Sequence, residues 1–192
     1  MRYRVTGNYY TNELYHHGIK GQKWGIQNGP PYPLDDPNLP GKKLYKIDGY
    51  SKNGVKVSMV QKPTSKMTAF IAKVFPSRKE QIMNDSFFDI VVDDQRVGQM
   101  FLFKESNDSL NVNWISIDNT NRGKGYAQAS MKAVVDFAKK QGFKQMTLEV
   151  PGDSPDAKHI YEKLGFRDDG SSYDEDNVWG GLTNMKLVFD KH

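Results

Sequence analysis

The stretch NRGKGYA, Asn121 to Ala127, places two glycines, an arginine and a lysine within a few residues of one another. It lies between an apolar-rich run and a long amphipathic one, where a strand would turn into a helix. The chemistry those residue types suit is the holding of an anion. Gly123 and Gly125 let backbone N–H groups come close to a ligand, and the helix that follows turns its positive end toward the same place. Arg122 and Lys124 add charge. A plain alternative stays open, that a strand-to-helix turn simply requires glycine. Two nucleotide-binding patterns are excluded. The stretch lacks the G-x-x-x-x-G-K-[ST] loop, and Gln128 stands where a dinucleotide fingerprint needs its third glycine.

The elements that must position this turn can be read from periodicity. KLYKIDGYSKNGVKVSMVQK predicts two short strands around Asn53-Gly54, a pair suited to a tight hairpin turn. TSKMTAFIAKVF carries Met67, Phe70, Ile71 and Val74 at helical spacing, with Thr64 or Ser65 as N-cap. SFFDIVVD and RVGQMFLFKE predict a hairpin, and SLNVNWISID a further strand leading into the glycine turn. YAQASMKAVVDFAKKQGF then puts Ala127, Met131, Val134, Val135 and Ala138 on one helical face, closed by Gly142. KQMTLEV is a strand, SPDAKHIYEKLGF a helix capped by Ser154 with Pro155 in its first turn, and TNMKLVFD a last strand. The order predicts an α/β (α+β) fold, a mixed, mostly antiparallel sheet flanked by helices.

Composition sets the outer bounds. The chain has 192 residues, 37% of them hydrophobic, which is enough for one domain and a short appendage. No run of about 18 apolar residues is present, so no membrane-spanning segment is expected. MRYRVTGNYYTNELYHHG has no apolar core and is not expected to be a secretory signal. Cysteine is absent, which removes disulfides, thiolate metal sites and a cysteine nucleophile and accords with a cytoplasmic location. His16, His17, His159 and His192 make no ligand pattern, so no metal is expected. A net charge of +4 suits a phosphate-bearing ligand, but the lysines form no concentrated stripe of the kind nucleic acid requires.

Two motifs together carry a family resemblance. Arg122-x-x-Gly125-x-Ala127 resembles the [QR]-x-x-G-x-[GA] signature of the GNAT superfamily of acetyl-CoA-dependent N-acetyltransferases. Downstream, Leu148, Val150, Ala157, Tyr161, Gly165 and Phe166 resemble the same superfamily's second signature, with Ser154 in place of its usual asparagine. The resemblance covers about Phe87 to Asp190. It implies that the turn, through Arg122, Gly123, Lys124, Gly125, Tyr126 and Ala127, holds the pyrophosphate of acetyl-CoA as co-substrate. It implies further that the strands NVNWISID and KQMTLEV splay to admit the pantetheine arm.

Acetyl transfer to an amine needs a base for the ammonium, stabilisation of an oxyanion and a proton for the leaving thiolate. Glu149 and Tyr161 stand 12 residues apart, on a strand and the following helix. That context resembles the ribosomal-protein-alanine acetyltransferase branch, which implies Glu149 as general base and Tyr161 as acid. The backbone N–H of Ile117 or Asn119 is the candidate for polarising the thioester, and Asp118 is a reserve base. No glutamate occurs in SLNVNWISID, where some members carry their base. Asp168, Asp169, Asp174, Glu175 and Asp176 would give the acceptor groove an acidic rim suited to a cationic amine, protein-borne or small.

Residues 1 to about 40 read as an extended arm, and 41–192 as the catalytic domain. Within the arm HHGIKGQKWG resembles H-x-G-[IV]-K-G-x-K-W-G, an element of phage and mobile-element proteins of Gram-positive bacteria. Tyr15, Ile19, Trp24 and Ile26 give it an apolar handle for a phage or host protein partner. The alternative function this raises is a virion-associated structural protein that uses the fold as a binding module. In either case the setting would be a host cytoplasm or a virion.

Overall fold

The computed structural model describes residues 33–152, 154–173 and 181–189. In chain order the elements are β1 (Leu34–Asp35), β2 (Lys43–Leu44), β3 (Lys46–Tyr50), β4 (Lys56–Gln61), α1 (Lys66–Val74), α2 (Pro76–Asn84), β5 (Asp85–Val92), β6 (Gln95–Lys104) and β7 (Ser109–Ile117). A single 3-10 turn, Asn119–Asn121, leads to α3 (Tyr126–Lys140), β8 (Gln145–Pro151), α4 (Pro155–Lys163), β9 (Arg167–Tyr173) and β10 (Leu182–Val188). Among the described residues β3 to β10 form one sheet in the order β3-β4-β5-β6-β7-β8-β10-β9. Every neighbouring pair is antiparallel except β7 and β8, which are parallel. The expected mixed, mostly antiparallel sheet flanked by helices is therefore what the chain forms.

Alternation decides which face is covered. Met59, Ile90, Met100, Leu102 and Val112 are buried with the apolar side of α3, where Met131, Val134 and Ala138 are almost fully enclosed. Gly49 lets α3 come down onto β3. A Cβ built there would lie 2.8 Å from Ala133 Cβ and 2.9 Å from the Ala129 carbonyl oxygen. Tyr45 meets Phe137 edge-on with ring centroids 5.2 Å apart, which fixes the far end of the helix.

A second, smaller cluster joins Leu39, Ala72 of α1 and Ile82 of α2. Asp36, buried, ties it together. Its carboxylate accepts from the N–H groups of Asn38 (2.9 Å), Leu39 (3.2 Å) and Thr64 (2.8 Å). Ser65 caps α1, accepting from the Thr68 N–H at 3.0 Å. The expected helix forms, but Met67, Phe70 and Val74 are exposed, and it is the Ala72 side that is buried. Three elements were not expected. Leu34–Asp35, within the stretch read as an arm, forms β1 against β2. PSRKEQIMN forms α2 with almost no apolar periodicity, and Arg167–Tyr173 forms β9 against β10.

Candidate functional site

The site begins where β7 and β8 part. Their register runs from Ser109↔Gln145 to Val112↔Leu148 and then stops. Each strand stays held on its outer side: β7 pairs with β6 as far as Ile117↔Gly98, and β8 pairs with β10 through Pro151↔Leu182. The two strands thus open toward each other over Asn113–Ile117 and Glu149–Pro151, leaving main-chain groups with no ladder partner. A bulge marks the point of parting. Trp114 pairs with Phe101 and Val112 with Leu102, so Asn113 is the extra residue that bends β7.

The glycine turn closes the end of this opening. The Asp118 N–H donates to the Val97 carbonyl at 2.9 Å, and the Asn121 N–H to the Asp118 carbonyl at 2.8 Å. Arg122 Nε donates to the Ile117 carbonyl at 3.1 Å, and Lys124 Nζ to Asn121 Oδ1 at 2.9 Å. Gly123 and Gly125 have φ of +74° and +78°, which side-chain-bearing residues rarely adopt, so the turn itself requires both glycines. A Cβ at either would meet nothing within 4 Å, so open space lies beside them as well. Gly125 is the N-cap of α3 and has no side chain to cap it. The first N–H groups of a 15-residue helix, those of Tyr126, Ala127 and Gln128, therefore have no side-chain cap, and Arg122 and Lys124 immediately precede them in the chain. The positive φ at both glycines accords with a turn that needs glycine, and the uncapped helix start beside Arg122 and Lys124 is compatible with an anion there.

Glu149 is exposed and comes one residue after the last β7–β8 pair, opposite Asn184 of β10. Tyr161 lies on α4, half-buried, with its ring edge-on to Phe166 at 6.1 Å. Burial pushes its phenol above the ordinary tyrosine range, so it is held protonated. Ser154 occupies the N-cap position of α4 without a side-chain cap bond. Ile117 is buried at the end of β7, and Asn119 is exposed in the 3-10 turn. The turn residues, Ile117, Asn119 and Glu149 thus border the opening or its end. Tyr161 and Ser154 enter on the helix after β8. The acidic segment is not one loop, because Asp168 and Asp169 lie on β9. Asp168 has Lys158 Nζ 3.7 Å away and accepts from the Gly170 N–H. Asp174, Glu175 and Asp176 lie outside the described residues, as does the arm motif. Nothing in the sequence signals the bulge at Asn113, or that Trp114 stands beside the opening, because both depend on the register of β7 against β6. Among the described residues no cluster of three His, Asp or Glu side chains could hold a metal ion, and no helix is long and apolar enough to cross a membrane.

Comparisons with known proteins bear on this geometry. The chain matches the family described as "Acetyltransferase (GNAT) domain" over residues 47–189. It is 34% identical over 74 residues to human N-acetyltransferase 8B, a match covering 38% of this chain and 32% of that protein. It is 31% identical over 84 residues to zebrafish (Danio rerio) N-acetylaspartate synthetase, covering 44% and 29% respectively. The matches thus span about a third of the length of these curated relatives. Among solved structures, a GNAT family acetyltransferase from Elizabethkingia anophelis, with acetyl-CoA bound, superposes with a TM-score of 0.51 at 11% identity, covering 69% of this chain and 98% of that one. Spermidine N-acetyltransferase from Vibrio cholerae, in complex with CoA and spermine, gives 0.51 at 17% identity, covering 66% and 78%. These structures share the fold. With its glycine turn at the end of a parted β7–β8 pair and a family match over most of its length, the chain belongs to the GNAT acetyltransferase domain family.

Proposed function

We propose that the protein transfers an acetyl group from acetyl-CoA to a primary amine, directly, in a ternary complex. The observation that carries this reading is the parting of β7 and β8 with an uncapped helix N-terminus at its end. The unpaired main-chain edges suit the amides of a pantetheine arm, and the turn with Arg122 and Lys124 suits a pyrophosphate. The reaction then balances without a covalent enzyme intermediate. Glu149, through a water, takes a proton from the ammonium. The amine nitrogen attacks the thioester carbon, the oxyanion is held by the N–H of Ile117 or Asn119, and the C–S bond breaks as Tyr161 protonates the thiolate. The nitrogen's second proton then passes to the Tyr161 phenolate, and Glu149 releases its own proton to solvent. The pairing of Glu149 with Tyr161 rests on their resemblance to the ribosomal-protein-alanine branch, and Tyr161's burial supports its part. The virion-associated alternative, and a phage or host partner, rest on the arm motif alone, so the enzyme reading is preferred.

Calorimetric titration of acetyl-CoA into the full chain tests the proposal. Gly125 is a poor site for a control because its φ of +78° strains any replacement. Lys124→Glu is better, since Lys124 is exposed and, among the described residues, its amine bonds to Asn121 on the same turn. Wild type is expected to bind with micromolar affinity, and Lys124→Glu about tenfold more weakly, the value of one charge-assisted contact. Absence of binding by the wild type would overturn the reading.

A further inference from the structure

The mechanism above leaves unused the sheet face turned away from α3. Three aromatic residues stand on it in register, Phe87 paired with Phe101 and Phe101 with Trp114. The rings of Phe87 and Phe101 stack with centroids 4.3 Å apart and planes 5° from parallel. Phe87 is 47% exposed and Trp114 40%, so among the described residues the row is a partly open apolar shelf. Phe87 and Trp114 border a cavity of about 260 Å³, walled by the segment between β4 and α1, where Lys62 and Thr64 lie, and by Asp85. The cavity is below the roughly 300–1,000 Å³ of drug-sized sites and suits a ligand of a single ring. Trp114 also stands two residues past the last β7–β8 pair, so the shelf reaches the place where the strands part.

The polar groups around the cavity are as informative. Thr64, 8% exposed, borders it, and its hydroxyl has no hydrogen-bond partner. A buried hydroxyl in that condition is costly unless a ligand or water meets it. Gln99, also on the border, donates from Nε2 to the carboxylate of Asp89 at 3.2 Å, which leaves its amide oxygen as the end that accepts. Two lysines border the same space. Lys42 donates from Nζ to the carbonyls of Ile82 and Asp85, and Lys62 Nζ lies 3.4 Å from Asp89. The carboxylates of Asp85 and Asp89 are thus each matched by a lysine, so among the described residues the cavity carries no surplus negative charge to hold a second ammonium on a ligand.

We propose that this cavity receives the acceptor, and that the acceptor is an arylalkyl monoamine bearing a polar ring substituent, not a polyamine. Its ring lies on the Phe87–Trp114 shelf, its substituent reaches Thr64 and Gln99, and its amine extends toward the opening between β7 and β8. This rests on the reading that the opening takes acetyl-CoA.

The test measures CoA thiol release by the full chain with tyramine, 2-phenylethylamine and spermidine, and acetyl-CoA affinity by calorimetry. Because the chain contains no cysteine, every thiol detected is product. Tyramine is expected to exceed spermidine in kcat/KM by about tenfold or more, and Trp114→Leu to raise the tyramine KM about tenfold with acetyl-CoA affinity unchanged. Thr64→Val, nearly isosteric, is expected to erase tyramine's advantage over 2-phenylethylamine, about fivefold in wild type. A preference for spermidine, or a Trp114→Leu enzyme with unaltered KM, would overturn the acceptor assignment and leave acetyl transfer standing. If acetyl-CoA does not bind, the functional reading fails separately. The cavity is then judged by titrating tyramine into the protein alone, where absence of binding, or binding indifferent to Trp114→Leu, overturns it.

Discussion

Tyr161 is the candidate catalytic residue whose surroundings most restrict its chemistry. Burial raises its pKa, so the folded state holds the phenolic proton more tightly than the unfolded chain does. Its stabilising contribution is complete below the unfolded value of about 10 and is lost as pH rises from there through the folded pKa. Urea midpoints measured from pH 9 to 11 should fall with pH, and Tyr161→Phe should flatten that fall. The same substitution should lower kcat by about 100-fold, as loss of a general acid does, with little change in acetyl-CoA affinity. Glu149→Gln should lower kcat to a similar degree. A variant of either that kept wild-type kcat would remove that residue from the mechanism. Both candidates come from the sequence by resemblance, Tyr161 at a motif position and Glu149 between the motif's Leu148 and Val150. Trp114 and Thr64 could not be picked out there. One depends on which residue of β6 it faces, and the other on a hydroxyl left without a partner by the fold around it.

At the scale of elements, Gly49 sets the distance between α3 and the sheet. Its φ is not in the left-handed region, so alanine is acceptable to the backbone there, and the effect of Gly49→Ala is purely steric. The new methyl would press on Ala133 and the Ala129 carbonyl, costing about 1–3 kcal/mol by overpacking. A lower urea midpoint with unchanged slope should report it, and an unchanged midpoint would mean that α3 rides higher on β3 than described. Long periodic elements such as α3 were legible because one apolar stripe meets one sheet face. In α1 the spacing gave the helix and not its orientation. Leu39 and Ile82 converge on Ala72, a residue too small to stand out in a pattern, and the larger Met67, Phe70 and Val74 stay outside. Helix α2 has no stripe to read. Strand β9, with its paired aspartates and a glycine, resembles a loop until β10 supplies its ladder.

Across the whole molecule, the sheet is two leaves joined by a short seam. One leaf runs from β3 to β7 and the other contains β8, β10 and β9. The join between them is the four register pairs from Ser109↔Gln145 to Val112↔Leu148. Beyond the seam, among the described residues, the main-chain groups of Asn113–Ile117 and Glu149–Pro151 that face the gap have no strand across from them. A ligand that pairs with those edges would act as a missing rung, so that occupying the site and stiffening the molecule become one event. Amide hydrogen exchange should therefore slow in these two segments when acetyl-CoA is added, while the β5–β6 ladder exchanges as before. Slowing spread evenly over both leaves, or absent, would mean that the seam is no weaker than the rest of the sheet. On the proposed reading, the break in the ladder is a place where the fold leaves part of its own hydrogen bonding for acetyl-CoA to complete.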